Sequence, residues 1–206
     1  AASDVYKRQM SKDMFHTKDF LTLYLNKHFF FEKPPLYFWG ECLSFAFWGR
    51  VTEFTARFPV ALDGMLCCFT VYFLGKRIIS RGYGVVSSLI FATSLEFLIL
   101  AKFAILDIVV ATCIGFSLCF GIFTNFCQEK HKKYCWWLFY IFSGLAVMAK
   151  GIPGFVIPFG SMFFISLYSK NFKEIFKPLY FIPGIILFLL ITLPWHIITV
   201  SYTHLR

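Results

Sequence analysis

An acid and a base stand side by side at Glu32-Lys33, between the aromatic run Phe29-Phe30-Phe31 and the proline pair Pro34-Pro35. A carboxylate in such a place binds a metal ion or takes a proton from a hydroxyl, and the ammonium beside it binds a phosphate. The same four residues also suit a turn at a membrane surface, with the charges reaching back to water and the prolines stopping a helix. Residue type and spacing leave both readings open.

Three further positions could join that chemistry. Asp107 opens an apolar stretch, where a carboxylate serves as helix cap, as ligand, or as both. Lys150 ends a long apolar run immediately before Gly151-Ile152-Pro153-Gly154, a sequence that must break a helix. It is either a lysine snorkelling to the head groups or an anion clamp beside a turn. Arg57 begins another apolar stretch and anchors it at the head groups or binds an anion there. Asp63 and Glu96 lie inside apolar segments, where ionisable groups are costly; Glu96 is close enough to an end to reach water. Trp195-His196 reads as part of an aromatic belt.

The elements that must position these groups follow from composition. The chain has 206 residues, 58% hydrophobic, 21% aromatic and 15% charged, too apolar for a soluble domain of this length. The expected fold is all-α, a polytopic transmembrane helix bundle of about six spans preceded by a loop with interfacial helices over 14–55. The spacing predicts spans at 56–74, 83–101, 107–126, 136–148, 152–168 and 179–200, and a short interfacial helix at 36–48. No repeat or second domain is visible. The seven cysteines lie mostly in apolar runs without zinc spacing and read as small apolar side chains.

Loop charge predicts the orientation. Lys76, Arg77 and Arg81, then Lys130, Lys132 and Lys133, then Lys170, Lys173 and Lys177 fall on one side of the spans. The alternate loops hold only Lys102 and Lys150, so the basic side is cytoplasmic. Glu32, Lys33, Arg57, Asp107 and Lys150 then share the extracytoplasmic side. The net charge of +9 sits in loops, which excludes a nucleic-acid groove and implies contact with the lipid bilayer. No phosphate-binding loop, zinc signature or Ser/His/Asp set is present, which argues against a cytosolic nucleotide-using enzyme.

A set of ordered pieces carries a resemblance. It comprises Tyr24-Leu25-Asn26, Phe31-Glu32-Lys33-Pro34-Pro35-Leu36-Tyr37-Phe38-Trp39, Ala56-Arg57-Phe58-Pro59 and Ala61-Leu62. Asp107, Gly144 to Gly154 and Leu193-Pro194-Trp195 follow in order. Together, over about Met14 to Trp195, they resemble the GT-C class of polyprenyl-phosphate-dependent glycosyltransferases, nearest the lipid A aminoarabinose transferases and protein-mannosyltransferase-like proteins.

The resemblance implies an inverting membrane glycosyltransferase that moves a sugar from a polyprenyl-phosphate carrier to a lipid, protein or glycan acceptor. The reaction is expected on the outer face of a bacterial inner membrane. It assigns Glu32 and Asp107 to catalysis and, in members that use one, to a divalent metal ion. It also assigns Lys33, Lys150, Tyr37 and Arg57 to substrate binding. Such transfer needs a base for the acceptor hydroxyl and positive charge for the departing phosphate, which two acids and two lysines on one face supply.

The family pattern begins with a span and an Asp-Glu pair that supplies the usual base. Here only Ser3-Asp4 falls near that place, and the base is not assigned to Asp4. Residues 1–9 and 201–206 read as non-native ends of a domain truncated at both termini, a piece expected to be inactive alone. The rivals are a transporter or flippase for a lipid-linked or anionic substrate, and a membrane scaffold without chemistry. A transporter should carry its polar groups near the bilayer midplane, whereas these gather at one surface.

Overall fold

The computed structural model describes residues 2–25, 28–30, 33–102, 106–169 and 178–204. The chain forms two compact units, Ala1–Thr112 and Cys113–Arg206.

The first unit opens with α1 (Ala2–Thr17), followed by a two-residue antiparallel pairing of β1 (Tyr24–Leu25) with β2 (His28–Phe29), in register Tyr24 to Phe29. The Asp19 carboxylate shapes the approach to β1 by accepting the N–H groups of Leu21 and Thr22, each at 3.1 Å. Helix α2 covers Leu36–Trp48, the bounds read from the sequence, and ends at Gly49 with φ 64°. Its inner face buries Tyr37, Phe38, Cys42 and Phe45, and α1 in turn buries Met10 and Met14. Its other side exposes Leu43 and Phe47, as a helix lying in the head-group region would.

Helix α3 (Glu53–Ile78) starts a turn earlier than expected, because Thr52 and Thr55 form a reciprocal cap. The Thr55 N–H donates to Thr52 Oγ1 at 3.2 Å, and the Thr52 N–H donates to Thr55 Oγ1 at 2.9 Å. Lys76 and Arg77 sit in its last turn, where cations suit the carbonyl end of the helix. Helix α4 (Arg81–Thr93) packs back on α3 at a glycine pair. A Cβ on Gly84 would stand 2.6 Å from the Tyr72 carbonyl oxygen, so only glycine permits this approach.

The apolar stretch 83–101 is a correction to the expected straight span. After α4 the axis turns by 69° at Ser94 into α5 (Leu95–Lys102). Ser94 is extended (ψ 134°), and its hydroxyl donates to the Phe91 carbonyl at 2.8 Å. An apolar run reports the surroundings of a segment and says nothing of its axis, which is why the bend escaped the pattern.

Helix α6 (Leu106–Phe123) continues through a 3₁₀ turn at Thr124–Phe126. In the first unit the Thr112 hydroxyl lies 3.0 Å from Cys67 Sγ and from the Asp63 carbonyl oxygen, tying α6 to α3 around the half-buried Asp63. The second unit continues with α7 (Glu129–Lys150), α8 (Ile152–Ser169) and α9 (Pro178–His204). Its core gathers Trp136, Phe139, Tyr140, Met162 and Tyr180. Inside it the Ser117 hydroxyl donates to the Phe139 carbonyl at 3.0 Å and meets the Ser143 hydroxyl at 2.7 Å. Trp195 is buried at 6% exposure.

Among the described residues three helices are long and apolar enough to cross a membrane: α3, α6 with its 3₁₀ turn, and α9. The bent α4–α5 pair makes four if it counts as one span. Two of the six expected spans fall outside this set. The first two turns of α7 carry Glu129, Lys130, His131, Lys132 and Lys133, and α8 is a shorter apolar helix. The chain is an all-α integral membrane protein.

Candidate active site

Glu32 lies outside the described residues. Lys33 occupies the bend just before α2, followed by the buried Pro34 and Pro35. That bend is anchored on both sides. Upstream, the Phe30 N–H donates to the Leu23 carbonyl at 2.8 Å, prolonging the β1–β2 pairing. Downstream, the Trp39 N–H donates to the Pro35 carbonyl at 2.9 Å, and its indole N–H donates to the Phe20 carbonyl at 2.7 Å. Two prolines fix φ through the bend, so Lys33 leaves from a stiff backbone.

Tyr37 is 3% exposed, and its hydroxyl donates to Glu41 Oε1 at 2.8 Å. Ser11 Oγ of α1 donates to the other carboxylate oxygen. Glu41 is fully buried, and burial pushes its pKa up to about 7 against the pull of Ser11, Tyr37, Lys7 and Arg8. The carboxylate therefore locks α1 to the helix that follows the Lys33 bend. Family motif and residue spacing pass over Glu41. The available signal is that it is the only charged residue between Leu36 and Trp48, and a charge in an apolar helix needs partners.

Arg57 is exposed on α3 and pairs with Glu53 one turn back at 3.1 Å. Asp107 is half-buried in the first turn of α6, inside the helix rather than at its cap, flanked by the buried Leu106 and Ile108. The helix dipole favours a negative charge there.

Lys150, in the second unit, is exposed and is the last residue of α7. The helix breaks behind it as the sequence required. Gly151 takes φ 78° and ψ −131°, a conformation open to glycine, and its N–H donates to the Val147 carbonyl at 2.7 Å. At Gly154 a Cβ would lie 2.2 Å from the Ala146 carbonyl carbon, so α8 leaves with its backbone against α7. Pro153 stands in the first turn of α8, where its missing N–H costs nothing.

Among the described residues no group of three or more His, Cys, Asp or Glu could hold a metal ion. Asp107 alone of the expected metal pair is described, and no step is derived through a metal. An almost wholly apolar cavity of about 310 Å³ lies where the end of α1 meets α2, lined by Phe15, Phe20, Trp39, Cys42, Leu43 and Ala46.

The chain is similar to several known proteins. The chain is 33% identical over 181 residues to an uncharacterised protein of Aquifex aeolicus, covering 87% of this chain and 35% of that protein. It is 25% identical over 190 residues to the undecaprenyl phosphate-alpha-4-amino-4-deoxy-L-arabinose arabinosyl transferase 2 of Proteus mirabilis, covering 91% and 34%. It thus spans about a third of the length of these relatives. Its fold is similar to part of ArnT from Cupriavidus metallidurans, solved in the apo state and bound to undecaprenyl phosphate. The TM-scores are 0.86 and 0.87 at 22% identity, over 94% of this chain and 36% of that one. The model of the dolichyl-phosphate-mannose-protein mannosyltransferase family matches residues 9–204, and the chain belongs to that family.

Proposed function

We propose that the protein to which this chain belongs is a membrane glycosyltransferase. It moves a sugar from a polyprenyl-phosphate carrier to a lipid, protein or glycan acceptor on the extracytoplasmic face of a bacterial inner membrane. The family match over 9–204 carries this reading. The Lys33 bend supports it, because an ammonium beside the buried prolines suits the phosphate that remains with the carrier when the sugar leaves. The apolar cavity between α1 and α2 supports a donor with a hydrocarbon tail.

In this reading Lys33 neutralises the carrier phosphate, and Arg57, steadied by Glu53, adds a second cation; Lys150 is a substrate-binding residue of the second unit. Glu32 and Asp107 hold and polarise the acceptor hydroxyl. Tyr37 contributes by fixing Glu41, its buried partner, rather than by touching substrate. A divalent metal at Glu32 and Asp107 belongs to the same proposal, and dialysis of the full-length protein against a chelator tests it separately.

The decisive experiment uses the full-length protein and measures sugar transfer from an undecaprenyl-phosphate-linked donor. Glu32→Gln and Asp107→Asn should each depress transfer strongly with the fold intact. Unchanged transfer in both variants would remove these acids from the mechanism. Orientation is tested by labelling near Lys130 to Lys133 in sealed vesicles with an impermeant amine reagent. Modification from the extracytoplasmic side would reverse the proposed sidedness.

A further inference from the structure

Two thiols in the second unit stand in a relation that the transfer reaction does not use. Cys127 follows the 3₁₀ turn in extended conformation (φ −89°, ψ 150°), just before Gln128 caps α7. Cys135 lies in the second turn of α7, and the two sulfurs are 3.5 Å apart. A disulfide needs about 2.05 Å, so closure asks the two sulfurs to approach by roughly 1.5 Å. Both residues are half-buried rather than sealed in the core. The other cysteines lie on α2, α3 and α6, and Cys42, Cys67, Cys113 and Cys119 among them are buried.

We propose that Cys127 and Cys135 form a reversible dithiol–disulfide pair that clips the turn between α6 and α7, with a small-molecule disulfide as oxidant. One thiolate attacks a sulfur of the external disulfide and expels one thiolate from it, leaving a mixed disulfide. The second cysteine, after losing its proton, attacks the protein sulfur of that mixed bond and expels the other thiolate. The protein loses two protons and two electrons, and the external disulfide becomes two thiols. The positive-inside reading of Lys130, Lys132 and Lys133 puts the pair on the cytosolic side, where glutathione keeps it reduced at rest.

The test uses the purified full-length protein. It is treated with oxidised glutathione, its free thiols are alkylated after unfolding, and tryptic peptides are read by mass spectrometry. Lys130, Lys132 and Lys133 lie between the two cysteines, so trypsin separates them and only a disulfide can hold the fragments together. The expected result is a cross-linked Cys127–Cys135 peptide pair that parts on reduction, while Cys42, Cys67 and Cys113 stay fully alkylated. The oxidised protein should also melt at a higher temperature, and reductant should reverse the shift. In Cys127→Ser the cross-link should vanish and Cys135 should become alkylatable. Equal alkylation of all cysteines after oxidant, mixed disulfides without closure, or a Cys119–Cys135 bond would overturn the proposal.

Discussion

The Ser44 hydroxyl of α2 donates to the Thr55 carbonyl of α3 at 2.6 Å, and that carbonyl is the one Pro59 leaves without a helical donor. A proline four residues on has no N–H to return, so a buried acceptor in the first turn of α3 would be unsatisfied. Ser44 restores the bond from a neighbouring helix and fixes the corner where α2 meets α3. Ser44→Ala should cost about 1–3 kcal/mol by leaving the acceptor unpaired. The cost should shrink in a Pro59→Ala background, where the helix supplies its own donor. Thermal unfolding of both single variants and the double variant in detergent checks this; equal cost in the two backgrounds would refute the pairing.

The two glycines after Lys150 should respond unequally. Gly151→Ala meets open space and incurs only the backbone strain of a positive φ, at about 1–3 kcal/mol. Gly154→Ala drives a methyl group into the Ala146–Val147 peptide and should prevent α8 from leaving α7 in its present direction. Expression and melting of the two variants in detergent give the order. Gly154→Ala matching Gly151→Ala would show that the contact yields.

Glu41 predicts a pH dependence of stability with a definite sign. Its pKa rises from 4.5 to about 7 on folding, so the folded protein holds the proton more tightly. Stability is therefore highest below pH 4.5, falls as pH rises to about 7, and is flat beyond. The full span is on the order of 3 kcal/mol. Glu41→Gln should flatten this profile, and Tyr37→Phe, by removing a donor to the carboxylate, should extend the fall to higher pH. Melting temperature against pH reads all three proteins, and an unaltered slope in Glu41→Gln would assign the titration elsewhere.

Charge at the proposed phosphate site should appear in kinetics. In the full-length protein Lys33→Gln should lower kcat/KM for the lipid-linked donor by about 10²–10³-fold, as loss of one donor to a developing anion does. Lys33→Arg should recover part of it. A Lys33→Gln protein with unchanged kcat/KM would leave that lysine a membrane anchor only.

Local features were legible from residue order. Apolar run length announced membrane helices, Pro34-Pro35 and Gly49 bounded α2, and Lys150-Gly151 marked a break, because each depends on a few consecutive residues. The family motif named Lys33, Asp107 and Lys150 in order along the chain. Tertiary structure alone decided which partner each polar group takes. The turn at Ser94, the burial of Glu41 between Ser11 and Tyr37, the Ser44–Thr55 bond and the seat of Gly154 against Ala146 join residues on different elements or set one axis against another. Hydropathy measures only what surrounds a residue on average. A carboxylate in an apolar helix shows that a partner must exist, and only packing shows that the partner is Ser11, 30 residues away.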